Sequence, residues 1–232
     1  MRLQKYAALQ AQIVGGADGL GGGDGPVVVL LHGYGAPGDD LVGLAGYLRL
    51  PGVRFVFPEA PLALPQGGRA WWPLDLALFE RRARGERVDR SEDLPPELPA
   101  VRAAMLDFLS ALESDLGVTR ERVLIGGFSQ GAMVACDLAL HSTPLPAGLI
   151  LLSTTLIAQA AWAPRFARLS KLPVLQSHGT ADPLLDHADA LRVRDLLRAA
   201  GAEVTFVEFE GGHEIDVGVL AALQRFLQLH AK

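Results

Sequence analysis

Val123-Leu124-Ile125-Gly126-Gly127-Phe128-Ser129-Gln130-Gly131-Ala132 is the stretch on which the fold turns. It opens with a short β-branched and apolar run of the kind that forms a strand buried on both faces. From Met133 to Leu140 the pattern is helical. Between the two lies Gly127-Phe128-Ser129-Gln130-Gly131, a Gly-x-Ser-x-Gly segment. The bare pattern is cheap in a chain with 26 glycines, so its context carries the argument. A serine at a sharp strand-to-helix turn is pushed out above the sheet in a strained conformation. The flanking glycines are needed because side chains at 127 and 131 would collide across that turn. The helix that follows points its first amides, and its positive end, at any oxyanion nearby. The alternative is a serine that merely caps a helix.

Other strands flank this one. Val27 to Leu31, Val53 to Phe57, Leu149 to Leu152 and Val174 to Gln176 are near-continuous apolar runs. Val204 to Phe209 alternates more, as an edge strand does. Helical spacing appears at Val101, Met105, Phe108, Leu109, Leu112 and Leu116, and again at Leu220, Leu223, Phe226 and Leu227. Strands alternating with helices predict an α/β protein with a mostly parallel central sheet. The glycine-rich stretch Gly15 to Gly25 is expected to be a hairpin loop between a first strand, Gln10 to Val14, and Val27, with a linker as the alternative. No Gly-Lys-Ser/Thr follows it, so it is not a P-loop.

Length and composition set limits on function. The chain has 232 residues, half of them hydrophobic and a fifth charged, which suits one domain spanning residues 1–232. The net charge of −5 comes with no basic stripe, which argues against nucleic acid. Cys136 is the single cysteine, so no internal disulfide calls for an oxidising compartment. No apolar signal region follows Met1-Arg2-Leu3-Gln4-Lys5-Tyr6. Ala147 to Ala163 is largely apolar but too short and too interrupted to span a bilayer, and reads as a buried strand and loop. Residues 58–99 are irregular. They hold seven of the 15 prolines, Trp71, Trp72, Phe79 and a charge-balanced run from Glu80 to Asp93 that includes Arg81, Arg82, Arg84, Arg87 and Arg90. Mixed charges usually decorate a solvent face, and the other reading is a lid over a site.

A serine hydroxyl attacks only when a base takes its proton and a third group orients that base. When the serine sits in such an elbow, the acid and then the histidine follow it in the chain. His213, in Gly211-Gly212-His213, lies in a loop just past the last strand, on the side where α/β sheets gather their sites. His178 reads as a supporting group, His230 as a solvated one, and His187 as a fallback base. Asp182 follows Val174 to Gln176 by a short loop. Asp186 and Asp189 look like the start of the next helix, with Asp186 suited to its N-cap. The negative oxygen of a tetrahedral intermediate needs waiting N–H donors. The candidates are the amide of Gln130 and, after the early strand, that of Tyr34 in Leu31-His32-Gly33-Tyr34-Gly35. The apolar residues Leu62, Leu64, Trp71, Trp72, Leu156 and Ile215 are expected to line an acyl pocket, with packing in the core as their alternative role.

With these pieces in order, the chain resembles the phospholipase/carboxylesterase family of α/β-hydrolases, which includes acyl-protein thioesterases. Gly-Phe-Ser-Gln-Gly is the most specific match. Leu31 to Gly35, Pro173 to Pro183 and Glu210 to Ile215 are similar to the family's oxyanion, acid and histidine segments. Pro58-Glu59-Ala60-Pro61 and Gly68-Arg69-Ala70-Trp71-Trp72 fit its proline-then-tryptophan pattern. Ser153-Thr154-Thr155-Leu156-Ile157 departs from the family's Ser-Gly-x-Leu-Pro, and the run from Glu80 to Asp93 is longer than usual. The resemblance implies an α/β-hydrolase fold with a minimal lid. It implies a cytoplasmic serine esterase, with lysophospholipase or thioesterase activity as variants. Ser129 is then the nucleophile, His213 the base and Asp182 the acid, with the Tyr34 and Gln130 amides as oxyanion hole. Neither cofactor nor metal is expected. The partner is a small-molecule ester or thioester, with no nucleic acid and no stable membrane insertion, and a homodimer is left open. The rival of a different class is a non-catalytic binding protein on the same scaffold.

Overall fold

The computed structural model describes the whole chain except residues 76, 78, 79, 82, 83 and 87. Phe79, Arg82 and Arg87 therefore lie outside the described residues. Strands β1 (Arg2–Tyr6), β2 (Leu9–Gly15), β3 (Val27–Leu31), β4 (Arg54–Pro58), β7 (Val123–Phe128), β8 (Gly148–Leu152), β9 (Pro173–Gly179) and β10 (Glu203–Phe209) form one sheet, in the order β1-β2-β4-β3-β7-β8-β9-β10. From β4 to β10 every neighbouring pair is parallel. A small antiparallel ladder, β5 (Leu62–Ala63) with β6 (Arg69–Ala70), stands apart.

Successive residues of a strand face opposite ways, and β3 shows it. Val27, Val29 and Leu31 join a core with helices α2 (Leu98–Leu116), α3 (Gln130–His141) and α5 (His187–Ala199). Val28 and Leu30 join a second core with α1 (Gly43–Leu48) and α6 (Val217–His230). Burial on both faces is why β3, β4, β7 and β8 read as continuous apolar runs. The last strand, β10, is an edge strand, and its half-exposed alternation follows from that position. The stretch 147–163 becomes β8, a loop and the short helix α4 (Gln159–Trp162). Among the described residues no helix is long and apolar enough to cross a membrane.

The expectation for Gly15 to Gly25 needs correction. β2 pairs with β4, not β3, so this stretch is no hairpin loop but a crossover that carries the chain past β4. The hairpin joins β1 to β2 through Ala7, at φ 50°. Asp18 accepts the amides of Leu20 and Gly22 and shapes the crossover. Arg54, 1% exposed, ties it down by donating to the carbonyls of Gly23, Gly25 and Leu116. The last of these is an end carbonyl of α2, where a cation also suits the helix dipole.

Helices α2 and α3 are joined by a buried ion pair. Asp137, 1% exposed, accepts Arg102 Nε at 2.6 Å and Nη2 at 3.0 Å, and Trp162 Nε1 at 2.9 Å. Removing the carboxylate orphans all of these donors. Asp137→Ala should therefore cost about 3 kcal/mol of stability, read as a lower urea midpoint at unchanged slope. A shift under about 0.5 kcal/mol would show that the pair carries no net stability.

Candidate active site

β7 runs straight into α3, with Ser129 as the residue between them at φ 56°, ψ −119°. A non-glycine residue there is strained by roughly 1–3 kcal/mol and persists only where its surroundings hold it. They do so on both sides. The Ser129 amide donates to Leu152 O of β8 at 2.9 Å. A Cβ on Gly127 would come within 2.5 Å of the Gly131 carbonyl carbon, and one on Gly131 would strike the carbonyl oxygen of Leu31 at the end of β3. The turn is thus pressed against β3 with no room for side chains. The loop leaving β3 runs alongside, so that a Cβ on Gly33 would sit 3.4 Å from the Ser129 Cβ.

The side chain of Gln130 grips the region after β6. Its Oε1 accepts the Trp71 amide and its Nε2 donates to Trp72 O, each at 2.9 Å. Trp71 Nε1 donates to His32 O at 2.9 Å. His32 Nε2 accepts the Ala60 amide at 3.1 Å, so its proton lies on Nδ1, 2.8 Å from Gly33 O. Burial lowers the His32 pKa and keeps the ring neutral. This network fixes the loop that carries Tyr34. Among the described residues the backbone amides of Tyr34 and Gln130 donate to no other backbone carbonyl.

The acid and histidine loops extend two parallel strands. β9 ends at Gly179, where a Cβ would strike the carbonyl oxygens of Gly211 and Gly212, so only glycine lets the loops meet. The Thr180 amide donates to Phe209 O at 2.9 Å and the Ala181 amide to Gly211 O at 3.0 Å. Asp182, 7% exposed, accepts the amides of Leu184 and Leu185 on Oδ1, at 2.8 and 2.9 Å. Its Oδ2 lies 2.6 Å from His213 Nδ1. Desolvation alone would raise the Asp182 pKa, but the hydrogen bond and charge of His213 and the two amides outweigh it and hold the carboxyl below its usual value. Ionised Asp182 can only accept, so Nδ1 carries the His213 proton and Nε2 is left with a lone pair. Phe128 packs on this ring at 4.8 Å between centroids.

The rivals fall elsewhere. Asp186 caps α5 by accepting the Ala188 amide, and buried Asp189 pairs with Arg192 on that helix. His187 pairs with Glu208 at 2.7 Å. His178 is buried, with Nε2 3.2 Å from Leu185 O and 3.5 Å from Asp182 Oδ2, so its N–H supports the acid loop. Burial lowers its pKa too. Among the described residues no group of His, Cys, Asp and Glu is placed to hold a metal.

Ser129, His213, Tyr34 and Gln130 line one cleft of about 380 Å³. Its apolar wall is Leu74, Phe128, Met133, Leu184 and Leu185. None of the six residues expected there from sequence lines it. Leu62, Trp71 and Trp72 line a separate surface groove beside α2, and Leu156 is buried in the core. Ile215 packs on the second core, and Leu64 is half-buried at the β5–β6 turn. The sequence did hold a signal for the real wall. Met133 lies one helical turn after Ser129, and Leu184-Leu185 follow the acid after Pro183.

Comparison with known proteins agrees with this architecture. A model of the phospholipase/carboxylesterase family matches residues 23–231. An acyl-protein thioesterase 1 of Neurospora crassa is 30% identical over 214 residues, covering 86% of this chain and 84% of that one. The lysophospholipase-like protein 1 of Mus musculus is 31% identical over 181 residues, 75% of this chain and 72% of that one. Among solved structures, esterase PE8 superposes with a TM-score of 0.80 at 27% identity, covering 96% of this chain and 99% of its own. The Bacillus cereus carboxylesterase gives 0.76 at 21% identity, covering 97% and 95%. The fold is the α/β-hydrolase fold.

Buried neutral histidines make stability depend on pH. His32 and His178 have folded pKa values below the unfolded value of about 6.5, so the unfolded chain binds more protons under acid conditions. Their contribution is complete above about pH 6.5 and is lost as pH falls, by up to ~1.4 kcal/mol per pH unit for each ring. Urea unfolding should give a stability lower by about 2 kcal/mol at pH 5.5 than at pH 7.5. Equal or greater stability at pH 5.5 would mean that the two rings are not held neutral.

Proposed function

We propose that Ser129, His213 and Asp182 carry the chemistry of this chain, which belongs to the phospholipase/carboxylesterase family and is a hydrolase of carboxylic-ester or thioester bonds. One observation supports the assignment above the others. A serine held at positive φ shares a cleft with a histidine whose far nitrogen is 2.6 Å from a buried carboxylate.

In this reading Ser129 Oγ attacks the carbonyl carbon and His213 Nε2 takes its proton. Asp182 keeps the ring in that tautomer and stabilises the imidazolium that forms. The amides of Tyr34 and Gln130 stabilise the oxyanion, a contribution of about 3 kcal/mol per donor in comparable sites. His213 then gives its proton to the departing alcohol or thiol. An acyl group is left on Ser129, and water cleaves it with His213 as base again. The apolar wall suits an acyl chain, and the chemistry calls for neither metal nor cofactor. The substrate is a small-molecule ester or thioester. We take the protein as cytoplasmic, as no internal disulfide calls for an oxidising compartment.

A fluorophosphonate probe should label the wild type at Ser129 and leave Ser129→Ala unlabelled. The same variant should lose about 10³-fold or more of kcat/KM on 4-nitrophenyl butyrate while keeping its fold by circular dichroism. Turnover retained by Ser129→Ala would refute the nucleophile. Turnover retained by His213→Ala would move the base to His178 or His187.

A further inference from the structure

The charged run 80–93 is not uniform. Arg81 and Arg84 pair with Glu86 in the open, their side chains 46% and 61% exposed. Such pairs contribute little. Arg90 differs: its side chain is 12% exposed and it lines the cleft together with Ser129, Leu74 and Met133. Asp93 accepts its Nε at 2.9 Å. Among the described residues its two terminal nitrogens have no hydrogen-bond partner, leaving four of the five N–H donors of the guanidinium without a protein acceptor. The Asp93 pair meets only one edge of the guanidinium, and its terminal nitrogens are left to bind water or an acceptor brought into the cleft.

The segment is also held in place. The Gln159 amide donates to Ser91 O at 2.7 Å and the Ala158 amide to Asp93 O at 2.8 Å. Asp89 accepts the Ser91 amide and pairs with Arg192 of α5, which also donates to Gln159 Oε1. Arg90 therefore stands on an anchored wall rather than a loose loop.

We propose that Arg90 recognises a carboxylate on the substrate, so that the preferred ester is anionic. The inference rests on the esterase reading of the same cleft. The free pair of terminal nitrogens matches the two oxygens of a carboxylate. Local charge favours a monoanion over a phosphate dianion. Asp93 already neutralises part of the guanidinium, Asp40 shares the cleft, and Asp75 and Glu97 border the groove on Arg90's outer side.

The test compares kcat/KM on three esters. These are 4-nitrophenyl butyrate, 4-nitrophenyl hemisuccinate (carboxylate on the acyl side) and 3-carboxy-4-nitrophenyl butyrate (carboxylate on the leaving group). Arg90→Gln should lower the ratio of at least one carboxylate ester to the neutral ester about tenfold, mainly through KM, and Arg90→Lys should restore part of it. An equal loss on all three esters, or no change in either ratio, would overturn the assignment. Failure of the wild type to hydrolyse any of the three overturns the esterase reading instead, and the assignment with it.

Discussion

Backbone pressed on backbone governs this molecule. Where β7 gives way to α3, the turn lies so close to the end of β3 that positions 127 and 131 admit no side chain. That contact forces Ser129 into a conformation which a non-glycine residue avoids when free. It also sets the loop after β3 beside the serine, because neighbouring parallel strands end at the same level. A strand order with β3 and β8 on either side of β7 sets the turn in the middle of the sheet's carboxyl edge.

Asp182 and His213 depend on the same device one step along the sheet. Neither belongs to a regular element. Each is placed because its loop continues the ladder between β9 and β10, closed at Gly179 by two carbonyl oxygens from the histidine loop. The carboxylate then accepts on both oxygens, two amides on one and His213 on the other, with His178 Nε2 3.5 Å away. A group so enclosed has little freedom to turn, and the ring it holds shares that rigidity.

Much of this was legible in the sequence, and the exceptions share a cause. Apolar runs mark strands covered on both faces, so β3, β4, β7, β8 and β9 were readable, as were α2, α3 and α6 from their spacing. The strand β1 was not. It is an edge strand of mixed polar, charged and apolar residues, which look like a solvated terminus until Tyr6 reaches Asp115 and Phe108. The course of the chain from Gly15 to Gly25 is not legible because β2 pairs with β4 and the connection must cross β4 to reach β3, and local pattern carries no information on strand order. The cleft wall was missed for a related reason. Trp71 and Trp72, beside the prolines, are buried props, whereas the wall is recruited largely from α3 and the acid loop.

The grip of Gln130 on residues 71 and 72 engages only their main chain, as a neighbouring strand would. Both an acceptor and a donor are required at once, which an amide supplies and a carboxylate does not. The anchor is therefore indifferent to which side chains the loop carries. A change of side chain at 72 leaves the hold on the residue beside the serine intact, because that hold is drawn from the main chain.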